Sequence, residues 1–389
     1  MAEGPLAGVR VLDLTRLLPG GFATLLMADM GADIVKVEEP GKGDYIRFSP
    51  PMIGDESAQH RALNRGKRSL TLNLKAPEGP DLLGRLAERA DVLVESFRPG
   101  VMARLGAGWE VLSERNSRLV YCAITGYGQD GPYRDRAGHD LNYMGFAGAA
   151  SITGPRGGPP IVPGVQVSDI GGGALMGVAG VLAALFDRER TGRGRFVDAS
   201  MMDGAFSWLS MHLGAFLADG EIPEPSAMRL SGAHACYRIY GTKDGKHLTV
   251  GALEPQFWQA LCEAVGLPDL IHRQYGPLEE QDDVANRLQA VLLTKTRDEW
   301  VAELSDLEAC VGPVNDFAEA VRDPHVRARD LVAAVDGVEV GPGPPLKFVP
   351  PAEAALRPAP GMGADTDALL SEIGLSGEEI QGLRGRGVI

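Results

Sequence analysis

The chain has 389 residues, 44% of them hydrophobic, which predicts a globular protein of two or three domains with sizeable cores. Its 38 basic and 52 acidic residues give a formal charge of −14, which argues against a general nucleic-acid binder without a local basic face. An anionic ligand would therefore need a dedicated pocket of cations. The four cysteines are scattered, with no CxxC pair and no clustered histidines, so we expect reduced thiols and no metal site.

Two features bear on where the protein resides. The N-terminal segment lacks the basic start and apolar core of a secretion signal, and the chain does not end in Ser-Lys-Leu, so we expect a cytoplasmic protein. Residues 170–186 carry no charge, but they contain five glycines and run directly into charged residues. They therefore predict a buried core helix rather than a membrane span.

The first predicted elements form an α/β unit. Residues 9–14 and 33–37 are typical of strands and residues 22–30 of a helix, with residues 19–21 as a turn. A strand, helix and strand of these lengths indicate a right-handed crossover in a parallel sheet. The turn after the first strand lacks the spaced glycines of a dinucleotide site, so we expect no nicotinamide or flavin cofactor.

Similar segments continue beyond these elements. Helices are predicted at 79–90 and 201–217, and strands at 69–74, 91–96, 119–124 and 195–198. The chain is thus expected to be an α/β protein with a doubly wound, Rossmann-like large domain over residues 1–200.

The pattern changes after residue 200. We expect a linker helix region at 201–224, a smaller α+β domain at 225–325, and a linker and C-terminal segment at 326–389 that returns to the large domain. A hairpin turn at Asp244 opens the small domain, and a capping box at Ser376 opens a short final helix.

Two short motifs carry the residues most suited to chemistry. His139 stands in a Gly-His-Asp run, and Asp169, thirty positions later, precedes three glycines by one residue. Each motif lies before an apolar stretch typical of a helix, so both residues are candidates for proton transfer at one place or for ordinary helix caps. The glycines suit either the close approach of a ligand or close helix packing.

These motifs resemble the class III CoA-transferase (CaiB/BaiF-type) superfamily and, within it, the α-methylacyl-CoA racemases. The resemblance spans nearly the whole chain and is carried by residues 138–143, 169–173, 188–194 and 251–257. CoA transferases share the position of Asp169, whereas the His139-Asp140 pair and residues 254–257 are typical of the racemase branch.

Inverting the carbon next to a thioester takes two bases and a site for the enolate oxygen. The resemblance implies that His139 and Asp169 are the bases and that Glu254 sets their protonation. To return a proton, Asp169 would need a pKa above the ordinary value of about 3.9. Asp140 begins a predicted helix, where its side chain could orient His139 and its backbone N–H could hold the thioester oxygen. We favour the N–H.

Several arginines of the large domain are candidates for binding the phosphates of CoA. They are Arg47, Arg65, Arg68, Arg98 and Arg104. Arg98 is the strongest, because the turn at residues 97–100 resembles the nucleotide site of the family. CoA is part of the substrate, so no separate cofactor is expected.

The family also implies an assembly. Its members form interlocked dimers whose active sites are shared between chains. The resemblance therefore implies a homodimer in which His139 and Asp169 of one chain act with Glu254 of the partner subunit.

Two other functions stay open on the sequence. In a CoA transferase, Asp169 would be a nucleophile that forms a mixed anhydride and then an aspartyl thioester, and His139 would be incidental. A non-catalytic CoA-binding protein could use the same fold. The acyl group is not identified, because the apolar candidates for its pocket suit ordinary core equally well. They are Met144, Phe146, Met201, Met202 and Phe206.

Overall fold

The computed structural model describes residues 4–352 and 356–389. The chain forms two compact units. The large unit comprises Met1–Ala147, Pro163–Leu209 and Pro324–Ile389, and the small unit comprises Gly148–Val162 and Ser210–Asp323.

A parallel sheet of six strands organises the large unit. Strands β1 to β6 are Arg10–Leu14, Asp33–Glu38, Arg68–Thr71, Val92–Glu95, Val120–Thr125 and Phe196–Ser200. They lie in the order β3-β2-β1-β4-β5-β6, which is typical of doubly wound folds. Strands β4 and β5 are buried along their whole length, as expected where helices cover both faces. The predicted α/β class with its large parallel sheet is confirmed.

The α-helices of the described residues are numbered in chain order. Helices α1 to α8 are Leu17–Asp29, Ala58–Asn64, Gly79–Ala87, Val101–Arg104, Trp109–Arg115, Asp140–Ala147, Met176–Thr191 and Met201–Ser207. Helices α9 to α16 are Ser210–Asp219, Pro255–Ala264, Leu278–Leu292, Arg297–Leu304, Phe317–Ala320, Pro324–Ala328, Thr366–Glu372 and Gly377–Gly385. Short 3₁₀ helices span Tyr45–Phe48 and Pro268–Arg273, and a π-helical segment, Val167–Leu175, leads into α7.

Apolar helices cover both faces of the large sheet. On one face α3 and α5 pack with α15 and α16, and Leu83 and Leu370 are fully buried there. On the other face α1 and α7 bury Met27 and Val181. The C-terminal helices thus complete a core that the first half of the chain begins.

The π-helical segment and α7 form one apolar helix, Val167–Thr191, of 25 residues. By length and composition it could cross a membrane, yet half of its most apolar window is buried inside the protein. Ala174, Val178 and Val181 pack in the core beside the sheet. The core helix predicted at 170–186 is part of this longer helix.

Helix α1 begins earlier than the sequence predicted. Pro19, Gly20 and Gly21 were expected to form a turn, but they lie in the first turns of α1. A proline is tolerated there because the first N–H groups of a helix have no intrahelical partner. The N–H of Leu17 donates to the carboxylate of Asp44 over 3.1 Å.

The small unit is built on an antiparallel sheet of three strands. Strands β7, Tyr237–Gly241, and β8, His247–Gly251, form the hairpin predicted at Asp244, and β9, Val311–Pro313, pairs with β8. Trp258 and Trp300 lie almost fully buried in its core.

Two further hairpins lie in the large unit. Strands β10, Val332–Val335, and β11, Val338–Pro342, are antiparallel, and a shorter hairpin joins Met52–Ile53 to Glu56–Ser57.

The observed units can be set against the predicted domain boundaries. The boundary expected after residue 325 falls beside the observed change of unit at Pro324. The segment Gly148–Val162 groups with the small unit, although the sequence placed it in the large domain. The linker helix region predicted at 201–224 is divided at Leu209, so that α8 belongs to the large unit and α9 to the small unit.

Candidate active site

The turn that carries His139 is held by hydrogen bonds on both sides. The N–H of His139 donates to Oδ1 of Asn142 over 3.0 Å, as in a helix cap. The hydroxyl of Tyr143 donates to the carbonyl of Gly138. His139 itself is exposed, and Asp140 is the first residue of α6. The turn therefore presents the imidazole to solvent from a fixed backbone.

The carboxylate of Asp140 ties this turn to the second motif. Its Oδ1 accepts the backbone N–H groups of Ser168 and Asp169 over 2.7 and 2.9 Å. These N–H groups lie in the first turn of the π-helical segment, where intrahelical partners are missing. The side chain of Asp140 thus brings together two motifs that are thirty positions apart, a contact that the sequence analysis missed.

The position of Asp169 changes its acidity. The side chain is half-buried, and burial first, with the Asp140 carboxylate second, raises the pKa of Asp169 to about 6. The charge of His139 acts in the opposite direction, which places the imidazole near this carboxyl group. Asp169 can therefore both accept and return a proton close to neutral pH.

The three glycines after Asp169 allow close helix packing. A Cβ atom on Gly171 would lie 2.2 Å from the ring of Trp208, and one on Gly172 would lie 2.3 Å from the carbonyl oxygen of Met201. Gly173 is similarly close to the Met201 side chain, at 2.6 Å. Of the two roles considered for these glycines, the structure shows packing against α8 and the residues next to it.

Aromatic side chains surround the His139 turn, a feature that the sequence analysis missed. Tyr127 packs edge-on against Tyr143 and Phe146, with ring centroids 5.0 and 5.7 Å apart. Burial raises the pKa of Tyr143 to about 12, with Asp169 adding to the shift, so this hydroxyl stays protonated at neutral pH. These rings form an apolar wall beside the candidate bases.

A cavity of about 280 Å³ lies at the carboxyl ends of strands β1 and β2. Ligands of open α/β sheets bind at this edge. The cavity is lined partly by Arg16, Lys75 and Phe97, and Arg16 lies over the Phe97 ring. Arg16 and Lys75 are cations that the sequence analysis did not single out. Both face Glu39, over 3.9 and 3.4 Å, and both side chains are exposed, so these ion pairs are open to solvent.

Two predicted phosphate ligands lie beside this cavity. Arg98 and Arg104 are exposed on the segment that follows β4. The charge of Arg98 acts on the hydroxyl of Tyr143, which places Arg98 near the His139 turn. Arg98 therefore adjoins Phe97 of the cavity lining and is near enough to Tyr143 for its charge to act on that hydroxyl.

Three other predicted phosphate ligands are already paired with carboxylates of the protein. Arg65 is 2% exposed and bonds Asp29 through both terminal nitrogens, over 2.5 and 2.8 Å. Arg68 bonds Asp33 and Glu372 over 3.2 and 2.6 Å.

Arg47 bonds both carboxylate oxygens of Glu38, over 2.7 and 2.6 Å. Because these charges are compensated inside the protein, their positions favour a structural role over phosphate binding.

Glu254 lies in the small unit at the position before α10. Among the residues that the structure describes, its carboxylate makes no capping hydrogen bond to that helix, although capping is the ordinary role of this position. The side chain is exposed, and its charge contributes to a raised pKa of the Cys310 thiol, after burial. The carboxylate of Glu254 thus does not cap α10, and it lies near Cys310.

Metal ligands do not gather anywhere in the described part of the chain, where no group of three or more His, Cys, Asp or Glu side chains converges. The site brings together an imidazole, carboxyl groups and backbone N–H groups.

Comparisons with known proteins agree with these motifs. The chain matches the model of CoA-transferase family III over residues 6–366. It is 37% identical to the alpha-methylacyl-CoA racemase of Homo sapiens, over 99% of this chain and 97% of that protein. It is 34% identical to the succinyl-CoA:glutarate CoA-transferase of Homo sapiens, over 95% of this chain and 86% of that protein.

A solved structure shows the same architecture. The crystal structure of a CAIB/BAIF family protein from Brucella suis has a TM-score of 0.85 at 30% sequence identity, covering 95% of this chain and 99% of that one. Sequence, fold and motifs agree, and the chain therefore belongs to CoA-transferase family III.

Proposed function

We propose that the protein is an α-methylacyl-CoA racemase that interconverts the R and S forms of 2-methylacyl-CoA thioesters. The observation that carries the proposal is the joining of the two motifs by Asp140, which sets an exposed imidazole near a carboxyl group whose pKa is raised to about 6. An aspartate with this pKa exchanges protons near neutral pH, as a two-base reaction requires.

The reaction proceeds by transfer of one proton off and one proton onto the same carbon. One base, His139 or Asp169, removes the α-proton, and the electron pair of the C–H bond moves toward the thioester oxygen to form an enolate. The conjugate acid of the other base then delivers a proton to the opposite face, and the thioester carbonyl is restored. The two groups exchange roles in the reverse direction.

The enolate oxygen needs a hydrogen-bond donor. The N–H of Asp140 is the first of α6, a helix of eight residues, and N–H groups at this position have no intrahelical partner. The helix dipole adds to the stabilisation of negative charge there. The carboxylate of Asp140 is meanwhile engaged with Ser168 and Asp169, which supports the N–H as the donor.

The CoA moiety is proposed to lie along the carboxyl edge of the large sheet. Arg98 and Arg104 supply exposed cations, and Arg16 and Lys75 line the cavity of about 280 Å³ at the same edge. CoA enters and leaves with the acyl group, so the reaction uses no separate cofactor.

The proposal extends to assembly and location. We propose a cytoplasmic homodimer that has no nucleic-acid partner and in which Glu254 acts in the active site of the partner subunit. The exposed and uncommitted carboxylate of Glu254 supports such a role.

The alternative is a class III CoA transferase. Asp169 is then the nucleophile, and the 34% identity to the human succinyl-CoA:glutarate CoA-transferase favours this candidate. The two candidates differ in what happens at the α-carbon, because a transferase breaks only the thioester bond.

Incubation with a 2-methylacyl-CoA in deuterated water separates the candidates. The racemase incorporates deuterium at the α-carbon and equalises the two epimers, and the His139→Ala variant no longer interconverts them. A transferase leaves the α-proton in place and moves CoA to an added free acid. Transfer without exchange would overturn the proposal.

A further inference from the structure

Three exposed arginines lie at the turn around Gly100 in the large unit. Arg98 precedes Gly100 by two residues. Arg104 and Arg134 reach the same turn with their side chains, because a Cβ atom on Gly100 would lie 3.3 Å from Nη1 of Arg104 and 3.4 Å from Nη2 of Arg134. We refer to Arg98, Arg104 and Arg134 as the arginine cluster. Arg134 is a member that the sequence analysis did not single out.

The arginine cluster differs from Arg65 and Arg68, whose charges are paired with carboxylates. Within residues 4–352 and 356–389, no carboxylate forms an ion pair with any member of the cluster. Two guanidinium groups beside one α-carbon repel each other, and an anion between them removes that repulsion. On a chain of formal charge −14, such a concentration of uncompensated cations therefore indicates an anion site.

The segment that carries Arg134 is fixed to the His139 turn. The N–H of Arg136 donates to the carbonyl of Tyr133 over 2.8 Å, which closes a turn around Arg134. The guanidinium group of Arg136 lies over the rings of Tyr133 and Phe146, 4.8 and 4.9 Å from their centroids. Phe146 belongs to α6, which begins directly after His139. Arg134 therefore connects the segment of the candidate base to the turn around Gly100.

The arginine cluster also adjoins the cavity of about 280 Å³ at the carboxyl edge of the sheet. Phe97, Val101 and Leu105, which lie on the same segment as Gly100, line this cavity together with Leu14 and Val37. These apolar walls suit a flat aromatic base such as adenine. In CoA the diphosphate lies between the adenosine and the pantetheine arm that carries the thioester. With adenosine in the cavity and the thioester at the candidate bases, the diphosphate is the part that meets the cluster.

We propose that Arg134 binds the diphosphate together with Arg98 and Arg104 and thereby holds the His139 turn against the bound thioester. The planar donors of a guanidinium group suit the oxygens of a phosphate. Binding energy from a part of the substrate that does not react then places the reacting carbon beside its base. The effect on the reaction rests on the proposed function, whereas the contact with the diphosphate does not.

Binding of free CoA to the full-length protein, measured by calorimetry, tests the contact without any turnover. Arg134→Gln should weaken binding about 10- to 100-fold, as expected for the loss of a charged hydrogen bond. Dephospho-CoA keeps the diphosphate but lacks the 3′-phosphate, and its binding should be weakened by the same factor. A loss for CoA alone would place Arg134 at the 3′-phosphate and overturn the assignment, and so would equal affinities in the variant and the wild type.

Two further variants separate a specific contact from a general charge effect. Arg193 is an exposed arginine of the large unit on the turn that follows α7, so Arg193→Gln removes the same charge and should leave the affinity for CoA unchanged. Arg134→Lys keeps the charge without the planar fork and should recover part of the lost affinity. Equal weakening in Arg193→Gln and Arg134→Gln would overturn the proposal.

A second experiment tests whether the contact positions the His139 turn. The kcat of deuterium exchange is compared for a 2-methylacyl-CoA and for the matching thioester of pantetheine, which has no phosphate. The wild type should have the higher kcat with the CoA thioester, and Arg134→Gln should reduce that advantage to about twofold or less without changing kcat for the pantetheine thioester.

Three results would count against parts of this account. An equal loss of kcat with both substrates would mean that Arg134 acts without the diphosphate, which would overturn the proposal. A rise in KM alone would overturn the positioning role. Exchange with neither substrate, while Arg134→Gln still weakens the binding of CoA, would refute the racemase and leave the diphosphate contact standing.

Discussion

Two aspartates of the large unit show how neighbouring charges decide the role of a carboxyl group. Asp13 is fully buried and accepts hydrogen bonds from Thr15, Thr24 and Lys67. Burial alone would raise the pKa of Asp13, but Lys36 and Lys67 hold it well below its usual range. At Asp169, burial and the nearby Asp140 carboxylate both raise the pKa, to about 6. The first carboxyl group is a fixed structural anion, and the second is the proposed proton carrier.

The largest effect is expected from removing the proton carrier. Asp169→Asn should lower the rate of epimer interconversion by about 10² to 10⁴, the usual contribution of a general base or acid. Asp187 lies on the same long helix and pairs with Arg195. The control variant Asp187→Asn should keep nearly full activity. A loss of less than about tenfold in Asp169→Asn would contradict the assigned role.

Mixing two inactive variants should restore activity. We expect Asp169→Asn and Glu254→Gln homodimers to be nearly inactive, and subunit exchange between them to create one intact site in each mixed dimer. Random pairing of equal amounts gives about a quarter of the wild-type rate. No recovery after verified subunit exchange would contradict the proposed shared site.

The structural anion should matter for stability rather than for the reaction. Asp13→Asn leaves Lys67 buried without its carboxylate partner, while Lys36 keeps Asp44 at 3.0 Å, and this should lower the free energy of unfolding by about 3–5 kcal/mol. Urea unfolding at pH 7.5 measures this loss. A change below about 1 kcal/mol would mean that the lysines find other partners or lose their protons.

The two aspartates should also have opposite effects on stability as pH changes. The pKa of Asp169 is raised on folding, so its ionisation between about pH 4 and pH 6 weakens the fold. Asp169→Asn should therefore raise Tm at pH 7.5 and lose that gain near pH 4. The pKa of Asp13 is lowered, so its stabilisation is fully present above its unfolded pKa and is lost only as the pH falls on through its much lower folded pKa.

Thermal scans at the two pH values check the sign for Asp169→Asn, whereas Asp13→Asn should remain destabilised at both. A lower Tm for Asp169→Asn than for the wild type at pH 7.5 would show that the fold stabilises the Asp169 carboxylate. That result would contradict the raised pKa of Asp169.

The smallest effect concerns the residue that joins the two motifs. Asn in place of Asp140 keeps an oxygen for the N–H groups of Ser168 and Asp169 but removes the negative charge. The pKa of Asp169 should then fall, and the limb of the pH–rate profile that reports Asp169 should move to lower pH. The pH dependence of kcat measures this shift. An unchanged limb would mean that burial alone raises the pKa of Asp169.

The sequence predicted the sheet and the main candidate residues because both leave local patterns. Apolar runs mark β4 and β5, and His139 and Asp169 stand in short recognisable motifs. The carboxylate bridge from Asp140 was missed, because its partners lie 28 and 29 positions away and are backbone groups. A side chain's sequence neighbours do not reveal such a contact.

The ion pairs of the arginines show the same limit of prediction from sequence. Arg65 and Arg68 looked like phosphate ligands beside a predicted strand, but their partners Asp29 and Glu372 lie 36 and 304 positions away. The pair between Arg156 and Asp282 spans 126 positions. Whether a cation is free or compensated is decided by these long-range contacts, so the sequence alone could not separate the two cases.

The central claim is that His139 and Asp169 act on opposite faces of one carbon. Each epimer of a 2-methylacyl-CoA is incubated in deuterated water with His139→Ala and, separately, with Asp169→Asn, and α-deuterium is followed by NMR. Each variant should fail to interconvert the epimers and yet exchange the α-proton of only one of them, with the opposite epimer for the other variant. Equal exchange of both epimers in either variant would contradict the two-base account.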